Sequence, residues 1–259
     1  MAYRTIRYDE QDRIGRITLN RPEKRNALSL ELLEELSICL GDAGEARSAK
    51  VLIVEGEGDH FCAGHDLNEI GEGAFSDIRH LFETCLRLMM RIQEIPQPVI
   101  AQVRGIATAA GCQLVAACDL AVAEEEALFA TPGVRIGLFC TTPMIPLSRN
   151  VGRKRALEML LTGRFVSARE ACEYGLVNRV VSAEELKAET LSLATEMAQY
   201  SLVTLGIGKQ SFYRQIHMDD ERAYHYGREV ISANALMPDA KEGISAFLEK
   251  RDPVWIEKE

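Results

Sequence analysis

Short apolar runs alternating with helix-period segments constrain this chain more than any other feature. Ile14-Gly15-Arg16-Ile17-Thr18-Leu19 alternates like a strand, and Leu30, Leu33, Leu36 and Leu40 recur at helical spacing behind Ser29, a side chain suited to capping a helix start. Val51-Leu52-Ile53-Val54 reads as a buried strand followed by the turn-prone Gly56-Glu57-Gly58-Asp59. The spacing then predicts a helix from Ser76 to Arg91, carrying Ile78, Phe82, Cys85 and Met89 on one face and stopped by Pro96 and Pro98. A strand over Val99–Val103, a small-residue buried helix over Ala109–Cys118 and a strand over Leu120–Ala123 follow. The second half reads as mainly helical. Ser167–Glu170 and Ser182–Glu185 both have the S-x-x-E form of a capping box, and Gly175 stands where the first of those helices should end. Amphipathic stretches cover roughly 184–199, 203–217 and 219–236. The pattern implies an α/β core with a helical C-terminal region.

Composition removes several classes of function. The 259 residues carry 30 Lys+Arg against 39 Asp+Glu, a net charge of −9, which argues against nucleic acid as a partner. No apolar run reaches the ~20 residues of a membrane helix, and the first ten residues lack the apolar stretch of a secretion signal. The seven cysteines, Cys39, Cys62, Cys85, Cys112, Cys118, Cys140 and Cys172, are odd in number and form no C-x-x-C. They are expected to be reduced thiols, mostly small buried hydrophobes, in a cytosol-like compartment. No H-x-x-x-H pair, no G-x-x-x-x-G-K-[ST] and no G-x-G-x-x-G occurs, so no metal and no ATP or dinucleotide cofactor is expected.

Two segments put small residues where backbone must approach something closely. Phe61-Cys62-Ala63-Gly64-His65-Asp66-Leu67 follows a strand and a turn; Arg104 to Cys112, with Gly105, Ala109, Ala110 and Gly111, joins a strand to a helix. A helix N-terminus offers unpaired N–H groups and a positive dipole end. A second N–H from a tight glycine turn, converging on it, makes an oxyanion hole. The plainer alternative is a glycine turn beside a tightly packed helix.

These segments resemble the two signature loops of the enoyl-CoA hydratase/isomerase (crotonase) superfamily. The resemblance spans nearly the whole chain. It includes Arg21-Pro22-Glu23-Lys24-Arg25-Asn26-Ala27-Leu28, F-x-A-G-x-D at Phe61–Asp66 and G-x-A-x-x-x-G at Gly105–Gly111. It continues through Phe129-Ala130-Thr131-Pro132, Gly175-Leu176-Val177 and Glu242–Arg251. The resemblance implies a spiral of ββα units over 1–195, then a helical trimerisation region over 196–259, assembling as a homotrimer or a dimer of trimers. It implies an acyl-CoA thioester as substrate, with no further cofactor, polarised by the backbone N–H groups of His65 and Ala110. Lys24, Arg25, Ala27, Ala63, Asp66, Leu67 and Asn68 would line the CoA cleft. Phe247 and Lys250 would close it, in many family members from a neighbouring subunit.

The departures from the family pattern bear on the reaction. Hydratases of this family hold and deprotonate water with two glutamates. At those positions this chain has Gln113 and Gly133, neither of which titrates near neutrality. The usual Gly-Gly-Gly of the second loop is Ala109-Ala110-Gly111, which keeps the N–H groups and is expected to narrow the cavity. His65 is one substitute proton carrier, the alternative being a ring turned to solvent or to the pantetheine. Asp66 is as suited to ordering its turn as to chemistry. Cys140 and Thr141 fall where other members place a carboxylate; Cys140 is a nucleophile only if its pKa is lowered, and otherwise an inert thiol. Arg135 reads as a partner for an acyl carboxylate or as a solvated or structural ion pair, and Glu124-Glu125-Glu126 as a solvated acidic turn. The function implied is acyl-CoA processing with its exact reaction unassigned and efficient hydration unsupported by the residues, the rival being a silent acyl-CoA binder or scaffold. The expected compartment is the cytoplasm, or the mitochondrial matrix if a transit peptide precedes this sequence.

Overall fold

A computed structural model describes residues 3–257. The chain opens with strands β1 (Ile6–Gln11) and β2 (Ile14–Leu19), joined by Asp12-Arg13, both in the left-handed region (φ 50° and 63°) as a two-residue hairpin demands. Helix α1 (Leu30–Ala46), strand β3 (Val51–Gly56), the short α2 (Leu67–Gly71), α3 (Phe75–Glu94) and β4 (Val99–Val103) follow. Next come β5 (Ile106–Thr108), α4 (Ala110–Ala117), β6 (Leu120–Glu124), β7 (Leu128–Ala130), α5 (Met144–Asn150) and α6 (Arg153–Thr162). The remainder is β8 (Val166–Ser167), α7 (Ala168–Tyr174), β9 (Arg179–Val181) and helices α8 (Leu186–Ala198), α9 (Leu202–Gln215), α10 (Asp220–Asn234) and α11 (Pro238–Glu249).

The strands form two sheets. The larger runs β1-β2-β3-β4-β6-β9, parallel except for the β1–β2 hairpin; the smaller runs β5-β7-β8. Period-two alternation gives the larger sheet two buried faces. Leu52 and Val54 of β3 join the main core with Leu33, Leu36 and Leu40 of α1 and Leu88 of α3. Val51 and Ile53 turn the other way, into a second cluster capped by Leu186, Leu193 and Ala194 of α8. A division at 195/196 therefore falls inside α8, whose last turns still cover the sheet; the break before the tail comes at Gln199–Ser201.

Helix α9 is tied to this core by buried charge. Lys209 Nζ lies 2.7 Å from Asp119 Oδ2 and donates to the carbonyls of Ile92 (2.6 Å) and Gln97 (2.7 Å). Tyr213 donates to Asp119 Oδ1 at 2.8 Å, and the Val99 amide to its Oδ2 at 2.7 Å. Beyond α9 the tail is more exposed: Tyr224, Leu236 and Phe247 are 82 %, 71 % and 82 % accessible.

Several local readings of the sequence hold. Ser29 caps α1 by accepting from the Leu32 amide (3.3 Å), Ser167 and Glu170 form a capping box, and Gly175 takes φ 85° at the C-terminus of α7. The Ser182 box does not form. Ser182 Oγ meets the Glu185 carboxylate (2.9 Å) instead of the Glu185 amide, which bonds the Ser182 carbonyl, and α8 begins only at Leu186. Glu124 is not a solvated residue: it ends β6 at 7 % exposure and accepts from the Gly105 amide at 2.8 Å. Glu125 and Glu126 are exposed.

Candidate functional site

Three chain segments are laced together by backbone hydrogen bonds. The Leu28 amide donates to Gly64 O (2.7 Å) and the Asp66 amide to Leu28 O (3.1 Å), so 61–66 runs beside 25–28. On its other side Cys62 bridges Ala107 of β5: Cys62 N–H donates to Ile106 O (3.1 Å) and Thr108 N–H to Cys62 O (3.0 Å). Thr108 Oγ1 also donates to Ala63 O at 3.0 Å. The first loop is thus an extra strand wedged between the Arg21–Leu28 segment and the smaller sheet.

Glycines set how close these pieces come. Gly64 holds φ 101°, and a Cβ built on it would lie 2.9 Å from Ala109 Cβ and 3.4 Å from the Ala110 nitrogen. A Cβ on Gly111 would overlap Cys62 O and sit 2.8 Å from its carbonyl carbon. Neither crowding is tolerable for a real Cβ, so both positions need glycine. Ala109 fills the space that Gly64 leaves. It does so at φ 49°, ψ −117°, backbone that favours glycine, and is held there by its N–H bond to Ala130 O (2.8 Å).

The consequence is a pair of free donors. Ala110 is the first residue of α4, and among the described residues neither its amide nor that of His65 has an acceptor. Both flank the Gly64–Ala109 contact. The helix N-terminus adds its positive end to the same spot.

Around these amides the side chains are polar but uncharged. The His65 ring packs edge-on against Phe82, 5.1 Å between centroids, and neither ring nitrogen has a hydrogen-bond partner. Burial pushes its pKa down to about 4, opposed by the Leu28 carbonyl, which lies outside hydrogen-bonding geometry; the ring is neutral at pH 7. A ring turned to bulk solvent is excluded, and so is a strong base at neutral pH. Gln113, one turn into α4, is 5 % exposed with Oε1 unpaired. Gly133 offers no room for a larger residue, since a Cβ there would overlap Leu138 O and stand 2.9 Å from Cys140 Sγ.

Other sequence candidates separate into structural and peripheral roles. Asp66 caps α2 through the Asn68 amide (3.2 Å) and pairs with Arg21 (3.0 Å); burial opposes these bonds, yet they hold its carboxyl below the usual range. It organises the turn. Cys140 has its thiol pushed up by burial, opposed by a Gly133 backbone hydrogen bond, the opposite of the lowered pKa that an activated nucleophile needs. Thr141 is exposed, and Arg135 is exposed with Nε donating to Thr162 O at 3.5 Å. Lys24, Arg25, Leu67 and Asn68 are exposed at the rim, with Ala27 and Ala63 half-buried beside them; Arg25 O accepts from the Ala63 amide at 3.0 Å. Phe247 stands on α11, which packs on α9, and Lys250 is the left-handed residue that ends this helix; the 82 % exposure of Phe247 leaves it uncovered within one chain. Thr131 was missed: it is fully buried beside Ala130 with Oγ1 unpaired, and only its place in the Phe129–Pro132 segment signalled it.

Known proteins share this sequence pattern and fold. Residues 9–258 match the family model described as enoyl-CoA hydratase/isomerase. The mouse protein named enoyl-CoA hydratase domain-containing protein 3, mitochondrial, is 45 % identical over 95 % of this chain and 82 % of its own length. The crystal structure of human enoyl Coenzyme A hydratase domain-containing protein 3 superposes with a TM-score of 0.94 at 45 % identity, covering 97 % of this chain and 100 % of that one. A structure titled as an enoyl-CoA hydratase of Mycobacterium smegmatis gives TM-score 0.94 at 47 % identity, covering 97 % and 99 %.

Proposed function

Because this chain belongs to the enoyl-CoA hydratase/isomerase family, we propose that it binds an acyl-CoA thioester with the carbonyl oxygen between the His65 and Ala110 amides. The observation that supports this reading is that the His65 and Ala110 amides, next in the chain to the closely apposed Gly64 and Ala109, have no acceptor among the described residues. As electron density moves from the acyl α-carbon onto the oxygen, fixed donors and the α4 dipole stabilise the enolate-like charge without reorganising. Lys24 and Arg25 offer cations to the CoA phosphates, with Ala27, Ala63, Leu67 and Asn68 lining the approach. Asp66 acts through Arg21 and the α2 cap by keeping the loop in shape.

Paired-carboxylate hydration is not the reaction of this site. Gln113 and Gly133 supply no titrating group, and His65 is too weak a base at neutral pH to replace them. General acid–base help of this kind contributes ~10²–10⁴-fold. Crotonyl-CoA should therefore lose its enoyl absorbance very slowly, while butyryl-CoA binds more tightly than free CoA in a calorimetric titration. Hydration at the rate of an efficient hydratase, or equal binding of CoA and butyryl-CoA, would refute the reading. The lack of titrating groups equally favours a second reading, an acyl-CoA binder without turnover; silence toward a panel of thioesters with retained affinity would select it.

The exposed apolar residues of α10 and α11 support a homotrimer in which a neighbour's Phe247 and Lys250 close the cleft. Light scattering at micromolar concentration should exceed the 28.8 kDa monomer mass. The mitochondrial names of the vertebrate relatives favour the matrix over the cytosol among the two compartments considered.

A further inference from the structure

After α11 the chain turns back and runs along that helix to its start. Lys250, at φ 56°, makes the reversal. Arg251 pairs with Glu242 (2.6 Å and 3.0 Å), which also accepts from the Val254 amide at 2.8 Å. The Trp255 indole donates to Gln199 O (2.6 Å), and its ring lies 3.3 Å from where a Cβ on Gly243 would stand. At the far end the Ile256 and Glu257 amides donate to Asp239 Oδ1 (2.6 Å and 3.1 Å), a buried carboxylate that also accepts from Ser201 Oγ. Glu257 then fastens this strap to the body of the molecule. Its carboxylate lies 2.7 Å from Lys50 Nζ and 2.5 Å from Arg13 Nη2.

Polar clips hold the strap more than apolar burial does. Val254 and Ile256 are 73 % and 50 % exposed, whereas Lys50 is 4 % exposed and also donates to Tyr200 O at 2.9 Å. Removing the Glu257 charge leaves a buried ammonium without its carboxylate, which is strongly unfavourable for the closed strap. The clips also share one face of α11. Asp239, Glu242, Gly243 and the buried Ala246 recur at helical spacing, while Ile244, Phe247 and Leu248 lie off that face and are exposed.

We infer that Asp239 and Glu257 are positioning residues: the strap they fasten sets which edge of α11 is presented, and so brings Phe247 to the CoA cleft. The inference rests on the reading above in which Phe247 and Lys250 close that cleft. A ligand that needs α11 in place is bound only by the strapped fraction of molecules, and its apparent affinity falls by that fraction.

Trp255 is the one tryptophan of the chain, so its emission reports on the strap. The test compares wild type, Glu257→Gln, Phe247→Ala and the double variant by tryptophan emission and by calorimetric titration with CoA and butyryl-CoA. With circular dichroism unchanged, Glu257→Gln should shift the emission to longer wavelength. It should weaken both ligands alike by about tenfold, the loss expected when about one molecule in ten is strapped. Saturating CoA should return the emission toward that of wild type, because coupling between ligand and strap is reciprocal. Glu242→Gln, which removes a different clip, should behave in the same way and serves if Glu257→Gln does not fold. In the Phe247→Ala background the Glu257 change should cost less than about twofold more, since both act through one contact. Wild-type CoA affinity or unchanged emission in the strap variants overturns the inference and leaves cleft closure by Phe247 standing. So do losses that multiply in the double variant, or a loss confined to butyryl-CoA, which would lie at the thioester instead. Phe247→Ala binding CoA as wild type does overturns cleft closure and the inference together.

Discussion

Gly111→Ala probes the contact on which the candidate site depends. The added Cβ would overlap Cys62 O and approach the Cys62 carbonyl carbon to 2.8 Å and its Cβ to 2.9 Å. Ordinary carbon contacts lie near 3.5–4.0 Å, so α4 and the first loop must part by about 1 Å. Both partners are backbone, and Cys62 is pinned by its bonds to Ile106 and Thr108, so no flexible side chain can absorb the shift. Overpacking of this kind costs about 1–3 kcal/mol, which for a chain of this size lowers Tm by roughly 2–4 °C per kcal/mol. The same movement separates the His65 and Ala110 amides, and a misplacement of about 1 Å is worth up to ~10²-fold where reacting groups must be aligned. Differential scanning fluorimetry should show the lower Tm, and titration with butyryl-CoA should show weakened binding while CoA binding changes little. A variant as stable as wild type with unchanged butyryl-CoA affinity would refute the close-approach argument.

The carboxylate pair should resist restoration. In Gln113→Glu/Gly133→Glu the second side chain has no room beside Leu138 O and Cys140 Sγ, so the variant should be less stable and gain less than about tenfold in crotonyl-CoA hydration; a gain of ~10² or more would show that the site still fits the hydratase arrangement. His65 also makes stability pH-dependent. Its folded pKa of about 4 lies below the ordinary 6.5, so the unfolded chain binds more protons between those values and stability falls as pH drops through that window. The full loss is about 3 kcal/mol, of which about 2 is reached by pH 5. Urea titrations at pH 7.5 and 5.0 should show this difference for wild type and its disappearance in His65→Asn; identical pH slopes in the two proteins would contradict the burial of the ring.

The sequence made the larger sheet and its helices legible because their signals are local. The alternating run of β2, the continuous apolar run of β3, the Ser29 cap and the Ser167 box each lie within a few residues of what they specify. The smaller sheet was not legible as strands: β5, β7 and β8 span three, three and two residues, too few for alternation to register. The S-x-x-E at Ser182 fails because the pattern names only the side chains, whereas Glu185 turns its amide to the Ser182 carbonyl. Helix α11, which leaves Ile244, Phe247 and Leu248 exposed, was not among the amphipathic stretches read from the sequence. At the site, motif positions brought out His65, Ala110, Gln113 and Gly133. The burial of His65, the raised thiol pKa of Cys140 and the unpaired Thr131 hydroxyl depend on contacts across long sequence separations, which no window of residues contains.

The central claim is that two backbone amides grip the thioester oxygen, and vibrational spectroscopy reads that bond itself. Butyryl-CoA labelled with ¹³C at the thioester carbonyl should be bound to the full chain and its isotope-edited infrared difference spectrum compared with that of the free thioester. Donation from His65 and Ala110 polarises the carbonyl, so the account predicts a C=O stretch shifted to lower frequency on binding, with a smaller shift in Gly111→Ala. A bound thioester whose carbonyl frequency stays at its value in water or moves higher would contradict it.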